Sequence, residues 1–573
     1  KYAWVENKTT EVTKWETVSS EQVTVESTNE YDKTDKIKIN IDVPLSPKDH
    51  YLAVKFEGYE DIAGNSANTD VVYSEDSYGL AKELEIEIFE DDEITYPKSV
   101  NIKIKSKSGQ AFKLESISYE HVGLNDAKPI KGINVDITDE FIVSYNTTVN
   151  GPIRVIVKDC FGETHENTYT VKNVQATELV LDLDSSKDDT VVLPISDPSF
   201  ELGKLLYVDW DLEDGEDGEY ILESAYSSIY GMNTEDNHVP IHTYNSGYKD
   251  SVVVSISGPM DLFWTCKVDE NMNQNIYPEI EKAISNSRNK ITEIKQFGIH
   301  YRNNVYPSMK YNYYGCENLK KFPNDANAEI NANVFKGITN MEYTFENTGI
   351  TYIPEWLFAK AEDLERMVNT FSGSQLESIP ENLFMNNENL ESLIGTFSHT
   401  PITEIPEKLF YGRNSLKYFS YTFENTKITK IPEKLFYTNE NVLGFSGCFS
   451  KSTLTEIPEN LFSQNKNADS FFGCFSETLI TKIPEKLFVE NKKATDFFGC
   501  FSKTLIAEIP ENLFVENKEA ISFGACFLNT KITEIPEKLF YNNSASFYCN
   551  LVRISFGKPD LRECMRDYQS LGF

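Results

Sequence analysis

The phrase Ile-Pro-Glu-x-Leu-Phe recurs eight times in the second half of the chain, always 26 residues apart. Fixed periods of about 20 to 50 residues indicate stacked structural units that bury a shared core. The repeat therefore predicts a solenoid over about two fifths of the chain, and a scaffold of this kind suits binding. The prolines that mark the period are Pro354, Pro380, Pro406, Pro432, Pro458, Pro484, Pro510 and Pro536.

Two apolar columns precede each proline and predict ladders of identical side chains in the core. Pro suits the first turn of a helix and the Glu after it complements a helix N-terminus, so each unit is predicted to be a short strand followed by a helical turn. In the unit 402–427, Leu409, Leu416, Phe419 and Phe423 have the spacing of one helical face. The columns are Ile353, Ile379, Ile405, Ile431, Ile457, Ile483, Ile509 and Ile535, and Ile350, Leu376, Ile402, Ile428, Leu454, Ile480, Ile506 and Ile532.

A small polar residue occupies one position of the closing phrase, FxxTF or FxxCF. It is threonine in the first four units and cysteine in the last four: Thr344, Thr370, Thr396 and Thr422, then Cys448, Cys474, Cys500 and Cys526. Because threonine and cysteine are close in size, we interpret the position as a buried filler. A metal or catalytic role is the alternative, but the repeats offer no histidine or carboxylate to complete such a site. We expect no metal and no cofactor.

The motifs F-x-G-C, I-x-x-I-P-E and L-F at fixed offsets resemble the BspA-like leucine-rich repeats, from about residue 313 to 545. This chain departs from the commonest form in its 26-residue length and in having Pro-Glu in place of a longer strand. The resemblance implies an α/β solenoid that recognises protein or glycan. Proteins of this family are surface adhesins of bacteria and some parasites, and similar repeats occur in tail proteins of phages and phage-tail-like bacteriocins.

The first half of the chain predicts all-β domains, because short runs with period-two alternation are broken by Gly, Asn, Asp and Pro. The segment GPIRVIVKDCFGETHENTYTVKN resembles the closing hairpin of bacterial immunoglobulin-like (Ig-like) domains. LYVDWDLEDG and IHTYNSGYKDSVVVSISG resemble a PKD-type β-sandwich, although Glu213 stands where glycine is usual. We therefore predict a multidomain chain, with all-β Ig-like and PKD-like sandwiches ahead of the repeats.

The predicted boundaries follow these changes in pattern. They are a β-rich arm or attachment segment at 1–35, one or two Ig-like sandwiches at 36–175, a PKD-like sandwich at 176–265, a solenoid N-cap at 266–322, leucine-rich repeats at 323–543 and a C-terminal cap at 544–573. The N-cap contains the helical pattern PEIEKAISNSRNKITEIKQF, and a short insertion is expected near NDANAEINANV. The chain begins at Lys1 and lacks the apolar centre of a signal peptide there, so we expect that a leader was removed or the chain was trimmed.

Charge and cysteine content exclude several classes of protein. The 54 basic and 90 acidic residues give a net charge of −36, which would repel a nucleic-acid backbone. No run of 18 uncharged apolar residues exists to span a membrane. Nine cysteines without a CxxC pair fit neither a zinc site nor a dense disulfide framework, so synthesis in a reducing compartment is expected.

No catalytic or metal-binding motif emerges from the sequence. The acidic run 209–219 invites a calcium site, but Asp214 and Tyr220 break the EF-hand pattern, and a solvated turn is favoured. Pro240 lies between His238 and His242 and spoils a helical metal pair. GxSxG, HExxH, P-loop and GxGxxG motifs are absent. The chain is predicted not to be an enzyme.

Binding residues are predicted at the position just before the second isoleucine of each unit, here called the pre-isoleucine column. Its members vary where packing does not dictate them: Tyr352, Ser378, Glu404, Lys430, Glu456, Lys482, Glu508 and Glu534. Tyr352 and the nearby Trp356 are the expected aromatic contacts. A solvated strand face in which Glu and Lys neutralise each other is the alternative interpretation.

These observations favour a non-catalytic receptor-binding protein that recognises a bacterial surface protein or glycan through its repeats. The first hypothesis places it on a phage or phage-tail-like particle as the host-recognition tip, with its N-terminal segment attached to other tail or baseplate proteins. The alternatives are a bacterial surface or secreted adhesin and an enzyme that degrades surface polysaccharide. A homo-oligomer is compatible with each of them.

Overall fold

The chain divides into two compact units, Lys1–Val174 and Gln175–Phe573, in a computed structural model. The structure describes residues 83–193 apart from 125 and 133–135, 205–222 apart from 216–217, 241–258, 278–298 and 308–540, with shorter segments before residue 83 and at 195–196, 261–262 and 543. The predicted C-terminal cap, residues 544–573, lies outside the described residues.

The alternating runs of the first unit form antiparallel strands, as predicted. Before residue 83 these are β1 (Tyr2–Val5), β2 (Val23–Ser27), β3 (Ile37–Ile41), β4 (Tyr51–Val54), β5 (Tyr59–Glu60), β6 (Ser66–Ala67) and β7 (Val72–Tyr73). β4 pairs with both β1 and β7, while β2 pairs with β3 and β5 with β6. The described part of the arm predicted at 1–35 thus contains β1 and β2, and only fragments of it are described.

The remainder of the first unit is built from two sheets that share one hydrophobic cluster. One sheet has the order β11, β10, β14, β15, with β12 beside β10, and the other has the order β13, β9, β8. Alternate residues of β8 are buried because successive side chains of a strand point to opposite faces. The strands are β8 (Leu84–Phe89), β9 (Lys98–Ser106), β10 (Phe112–His121), β11 (Lys128–Gly132), β12 (Asp136–Ile137), β13 (Glu140–Thr147), β14 (Gly151–Asp159) and β15 (Thr164–Val171).

The second unit opens with a five-stranded sheet of order β20, β19, β22, β16, β24. Two short pairs, β17 with β21 and β18 with β23, accompany it. Its strands are β16 (Thr177–Asp182), β17 (Asp189–Val192), β18 (Ile195–Ser196), β19 (Leu205–Asp209), β20 (Glu219–Leu222), β21 (Ile241–Tyr244), β22 (Ser251–Ser257), β23 (Asp261–Leu262) and β24 (Ile291–Gln296). The helix α1 (Pro278–Arg288) contacts β17.

The helical pattern predicted over PEIEKAISNSRNKITEIKQF covers two elements. Its first half forms α1, but its second half forms β24, which pairs antiparallel with β16. The other edge of β24 meets the first coil of the repeat region, where Ile294 N–H donates to Lys321 O at 3.0 Å and Lys320 N–H donates to Thr292 O at 3.0 Å. Edge strands need partners, and β24 is covered on both sides. The predicted N-cap is thus also part of the preceding sheet.

The insertion expected near NDANAEINANV forms a short 3-10 helix (Asp325–Asn327) followed by α2 (Ala328–Asn333). Asn324 caps the 3-10 helix, its side chain accepting from the backbone N–H of Ala326 at 3.0 Å. In α2, the side chain of Asn331 is buried and accepts from Phe297 N–H at 2.7 Å. The insertion is therefore tied to the end of β24 by a buried hydrogen bond.

The repeat region consists of stacked coils joined by single parallel β-bridges, one per coil. The bridges link Ser308, Asn340, Arg366, Ser392, Tyr418, Gly444, Ser470, Asp496 and Ser522 in order. From residue 334 to 540, all of which the structure describes, there is no α-helix and no regular strand. The predicted strand and helical turn are therefore wrong, and the α/β description does not hold for these coils.

The backbone hydrogen bonds explain why the coil does not become helical. Within a coil they span three residues, as from Leu409 N–H to Pro406 O and from Leu416 N–H to Arg413 O, which makes turns and not α-helix. Other backbone groups bond to the next coil, for example Phe423 N–H to Cys448 O at 2.9 Å. An amide that donates to the next coil cannot continue an α-helix.

The predicted core is confirmed even though its helix is not. Leu409, Leu416, Phe419 and Phe423 are all buried, and every member of the two isoleucine and leucine columns is buried except Ile535, which is partly buried. Phenylalanine rings stack from coil to coil, with Phe423, Phe449 and Phe475 at centroid distances of 5.8 Å. One hydrophobic cluster runs from β16 to the last described coil.

An asparagine ladder, which the sequence interpretation missed, holds successive coils together. Each side-chain amide donates to two backbone carbonyls of the preceding coil; Asn491 Nδ2 donates to Phe462 O at 3.1 Å and to Asn465 O at 2.8 Å. The members are Asn387, Asn439, Asn465, Asn491, Asn517 and Asn543. The signal was present as Asn seven residues after Pro, but Ala361 and Arg413 interrupt it.

Replacing Asn491 with alanine should lower the free energy of unfolding by about 2 kcal/mol, because two buried hydrogen bonds of about 1 kcal/mol each are lost. Asn467→Ala is the matched control, since its amide donates to Glu440 O at the exposed surface. A shift of less than about 0.5 kcal/mol is expected there. Urea denaturation compares the two variants, and equal effects would contradict a role for the buried ladder.

Candidate recognition surface

The residues around each bridge form a continuous surface along the coils, here called the bridge face. In each coil it comprises the bridge residue, the residue before it, and those two and three positions after it. The residue directly after the bridge points into the core, as Phe419, Phe445 and Phe471 do. The bridge face therefore rests on a fixed row of buried side chains while its own members vary.

The C-terminal half of the bridge face exposes a large apolar or aromatic side chain on each of five successive coils. These residues are Tyr418, Leu443, Phe472, Phe498 and Ile521, and Tyr421 adds a second aromatic on the first of these coils. Ile521 is 60% exposed, Phe498 43% and Phe472 38%. Large contiguous apolar patches are uncommon on proteins without partners, so this half of the face is the stronger candidate for a binding surface.

The two phenylalanines form a stacked pair in which Phe498 has a neighbour on each side. The Phe472 and Phe498 rings stack with centroids 5.5 Å apart and planes inclined by 8°. Phe498 also lies against Gly524 of the next coil, where a Cβ atom would come within 2.9 Å of two ring carbons. Tyr421 covers Gly447 in the same way. Glycine at these positions makes room for an aromatic ring from the preceding coil.

Three tyrosines on the N-terminal and middle coils occupy left-handed backbone conformations. Tyr311, Tyr343 and Tyr421 have φ values of 65°, 59° and 58°, at positions equivalent to those where Gly395, Gly447, Gly473 and Gly499 occur. A bulky residue with positive φ is unfavourable relative to glycine. Asn369 and Ala525 have the same conformation at this position, so the left-handed residue belongs to the turn that every coil makes after its bridge.

The N-terminal end of the bridge face is charged. Glu342 is buried and accepts hydrogen bonds from Lys310 at 3.0 Å and from Arg366 Nε at 2.6 Å. Burial by itself would raise the pKa of Glu342, but the hydrogen bonds and charges of the two cations hold it below its usual value. Lys310 also lies 5.1 Å from the ring centre of Tyr311, which stacks on Tyr343.

The pre-isoleucine column lies at the surface, with all eight predicted members exposed. Only one ion pair joins its members among the described residues, Lys430 Nζ to Glu456 Oε1 at 3.4 Å. The ring of Tyr352 meets Phe322 edge to face. Trp356 packs against the core and donates its indole N–H to Asp325 at 2.9 Å, so its polar edge is engaged within the protein. A binding role for this column stays a prediction.

The described part of the acidic run at 209–219 contains the buried carboxylate of Asp211. Asp211 accepts from Lys249 Nζ at 2.7 Å and from Tyr248 Oη at 3.0 Å. Within the residues that the structure describes, no group of three His, Cys, Asp or Glu could hold a metal ion. His242 stacks on Trp210, and burial lowers its pKa. His238 lies outside the described residues.

The threonine and cysteine position is fully enclosed, as the filler interpretation predicted. Thr422 Oγ1 donates to Leu393 O at 2.9 Å and to Phe419 O at 2.8 Å. Cys448, Cys474, Cys500 and Cys526 are buried and free, and burial raises the pKa of each thiol well above its usual value. Raising the thiol pKa disfavours the reactive thiolate, so these groups suit packing.

Residues 308–443 match the family described as BspA type leucine rich repeat region, in six copies. This stretch is thus a BspA-type leucine-rich repeat region, and the coils that follow it keep the same bridge and core pattern to residue 540. No curated protein matches the chain. The PKD-like and Ig-like resemblances stay predictions. Among the described residues, no helix has the length and apolar character needed to cross a membrane.

Acid should destabilise the first coils through Glu342. Because its pKa is lower in the folded state than in the unfolded chain, its contribution is complete above the unfolded value of about 4.3 and is lost as pH falls. Glu342→Gln should therefore flatten the decline of the urea midpoint between about pH 6 and about pH 3. Glu459→Gln, an exposed control, should keep the wild-type slope. An unchanged slope in Glu342→Gln would contradict the assigned role.

Proposed function

We propose that this chain is a non-catalytic recognition protein whose repeat region binds a bacterial cell-surface ligand. The observation that carries the proposal is the row of exposed apolar and aromatic side chains on five successive coils of the bridge face. Interfaces take most of their binding energy from a few such side chains in water-excluding contacts. Their fixed spacing on a repetitive core gives a rigid platform, which limits the entropy lost on binding.

We place this recognition protein either on the surface of a bacterium or on a particle that attaches to bacteria. Repeats of the BspA type are typical of bacterial surface proteins and adhesins, which favours the adhesin. A receptor-binding protein of a phage tail or phage-tail-like bacteriocin is the second proposal, with the N-terminal segment as its attachment to other tail proteins. Both settings require the same property, a repeat region that binds an external ligand.

The proposal is tested by binding the labelled full chain to a panel of bacterial cells and purified cell-wall fractions. Phe472→Ser with Phe498→Ser should weaken binding about tenfold or more, because truncated hot-spot residues cost at least about 1.4 kcal/mol. Tyr411→Ser with Tyr437→Ser is the matched control, since these aromatics are 68% and 54% exposed on another turn of the coil. That control should bind as wild type does.

A third variant, Lys430→Ala with Glu456→Ala, separates the two candidate surfaces. If this variant loses binding while the double phenylalanine variant keeps it, the pre-isoleucine column is the recognition surface. Failure of the wild-type chain to bind any cell or wall fraction would contradict the recognition function itself. Release of soluble sugar from the wall fraction would instead indicate an enzyme that degrades surface polysaccharide.

A further inference from the structure

The C-terminal half of the bridge face combines apolar groups with two carboxylates, those of Asp469 and Asp496. Asp469 is exposed one position before its bridge, and Asp496 is a bridge residue whose Oδ1 accepts from the backbone N–H of Phe498 at 2.9 Å. Within the described residues, neither aspartate takes part in an ion pair. The charged groups of the N-terminal half, by contrast, neutralise one another through Glu342.

The two aspartates lie among the exposed apolar residues of the same four coils. Leu443 and Ile521 mark the ends of this patch, and the Phe472 and Phe498 pair lies between them. A ligand that covers the patch removes water from the aspartates, and an unpaired carboxylate in a dry interface is costly. A favourable ligand must therefore bring cationic groups as well as apolar surface.

The ring geometry disfavours a sugar as that ligand. Carbohydrate recognition by aromatic residues uses an open ring face, but Phe498 lies between Phe472 of the preceding coil and Gly524 of the next coil, and its stacking also covers one face of Phe472. The remaining exposed surface of the patch comes from the phenylalanine rings and the aliphatic side chains of Leu443 and Ile521. Such a surface matches apolar side chains of a protein.

We propose that the patch formed by Leu443, Asp469, Phe472, Asp496, Phe498 and Ile521 binds a protein segment that carries apolar side chains together with lysine or arginine. This assignment rests on the proposed recognition function and narrows its ligand from protein or glycan to a basic, apolar protein segment. Among the described residues, the nearby lysines Lys466, Lys492 and Lys518 form no ion pair with either aspartate, and Lys492 pairs with Glu516.

The probes are an array of synthetic 15-residue peptides of varied charge and apolar content and an array of bacterial glycans, both incubated with the full chain. Wild type should select peptides that contain Lys or Arg beside large apolar residues. Asp469→Asn with Asp496→Asn should reduce the preference for basic over neutral peptides about tenfold, while apolar selection is retained.

Gly524→Ala tests the phenylalanine pair without removing an exposed side chain. The added methyl group occupies space now held by the Phe498 ring, so peptide binding should fall while the far-ultraviolet circular dichroism and urea midpoint change little. Ser463→Ala, an exchange of similar size on a different turn of the coil, should bind as wild type does.

The outcomes separate this inference from the recognition function. Binding to cells or wall fractions together with selection of glycans alone, or of peptides without basic residues, overturns the inference and leaves recognition standing. Peptide binding that is unaffected by both the aspartate and the Gly524 variants also overturns it. No binding to cells, wall fractions or either array contradicts both proposals.

Discussion

The repeat region depends on the stacking of identical side chains at a 26-residue interval. Phenylalanine rings in successive coils, such as Phe371 and Phe397, lie parallel about one coil apart, and the buried isoleucine columns run alongside them. From residue 334 to 540, no coil has an extended strand or α-helix of its own to stabilise it. Its free energy therefore comes from the interface with its neighbours, as in other repeat proteins.

This dependence on neighbours explains the polar features of the interior. A coil made of turns leaves many carbonyl groups without helix or sheet partners, and the buried asparagine amides satisfy those of the preceding coil. At its start, the stack meets β24, whose free edge bonds to the first coil. The sheet of the second unit thus covers one end of a stack whose exposed backbone groups would otherwise be open to pairing.

Much of the core could be predicted from the sequence, because the buried positions recur at the same place in each 26-residue repeat. The absence of a helix could not be predicted from the sequence. Leu409, Leu416, Phe419 and Phe423 have the spacing of a helical face, but in the structure successive turns bring them into the core. β24 was missed because its apolar residues, Ile291 and Ile294, are three apart, which is a helical and not an alternating spacing. The register of β24 against β16 is irregular, and both isoleucines are buried. The bridge face was missed because its apolar residues do not share one position of the repeat. Tyr418 is a bridge residue, whereas Phe472 lies two residues after a bridge residue.

The bridge face, and not the pre-isoleucine column, is expected to be the contact surface. Hydroxyl-radical footprinting of the full chain with and without a bacterial cell-wall fraction that it binds tests this directly. We expect Phe472, Phe498 and Tyr418 to be protected from oxidation in the complex, while Tyr411 and Tyr437 are labelled as in the free chain. Protection of Tyr352 with unchanged labelling of Phe472 and Phe498 would contradict the claim.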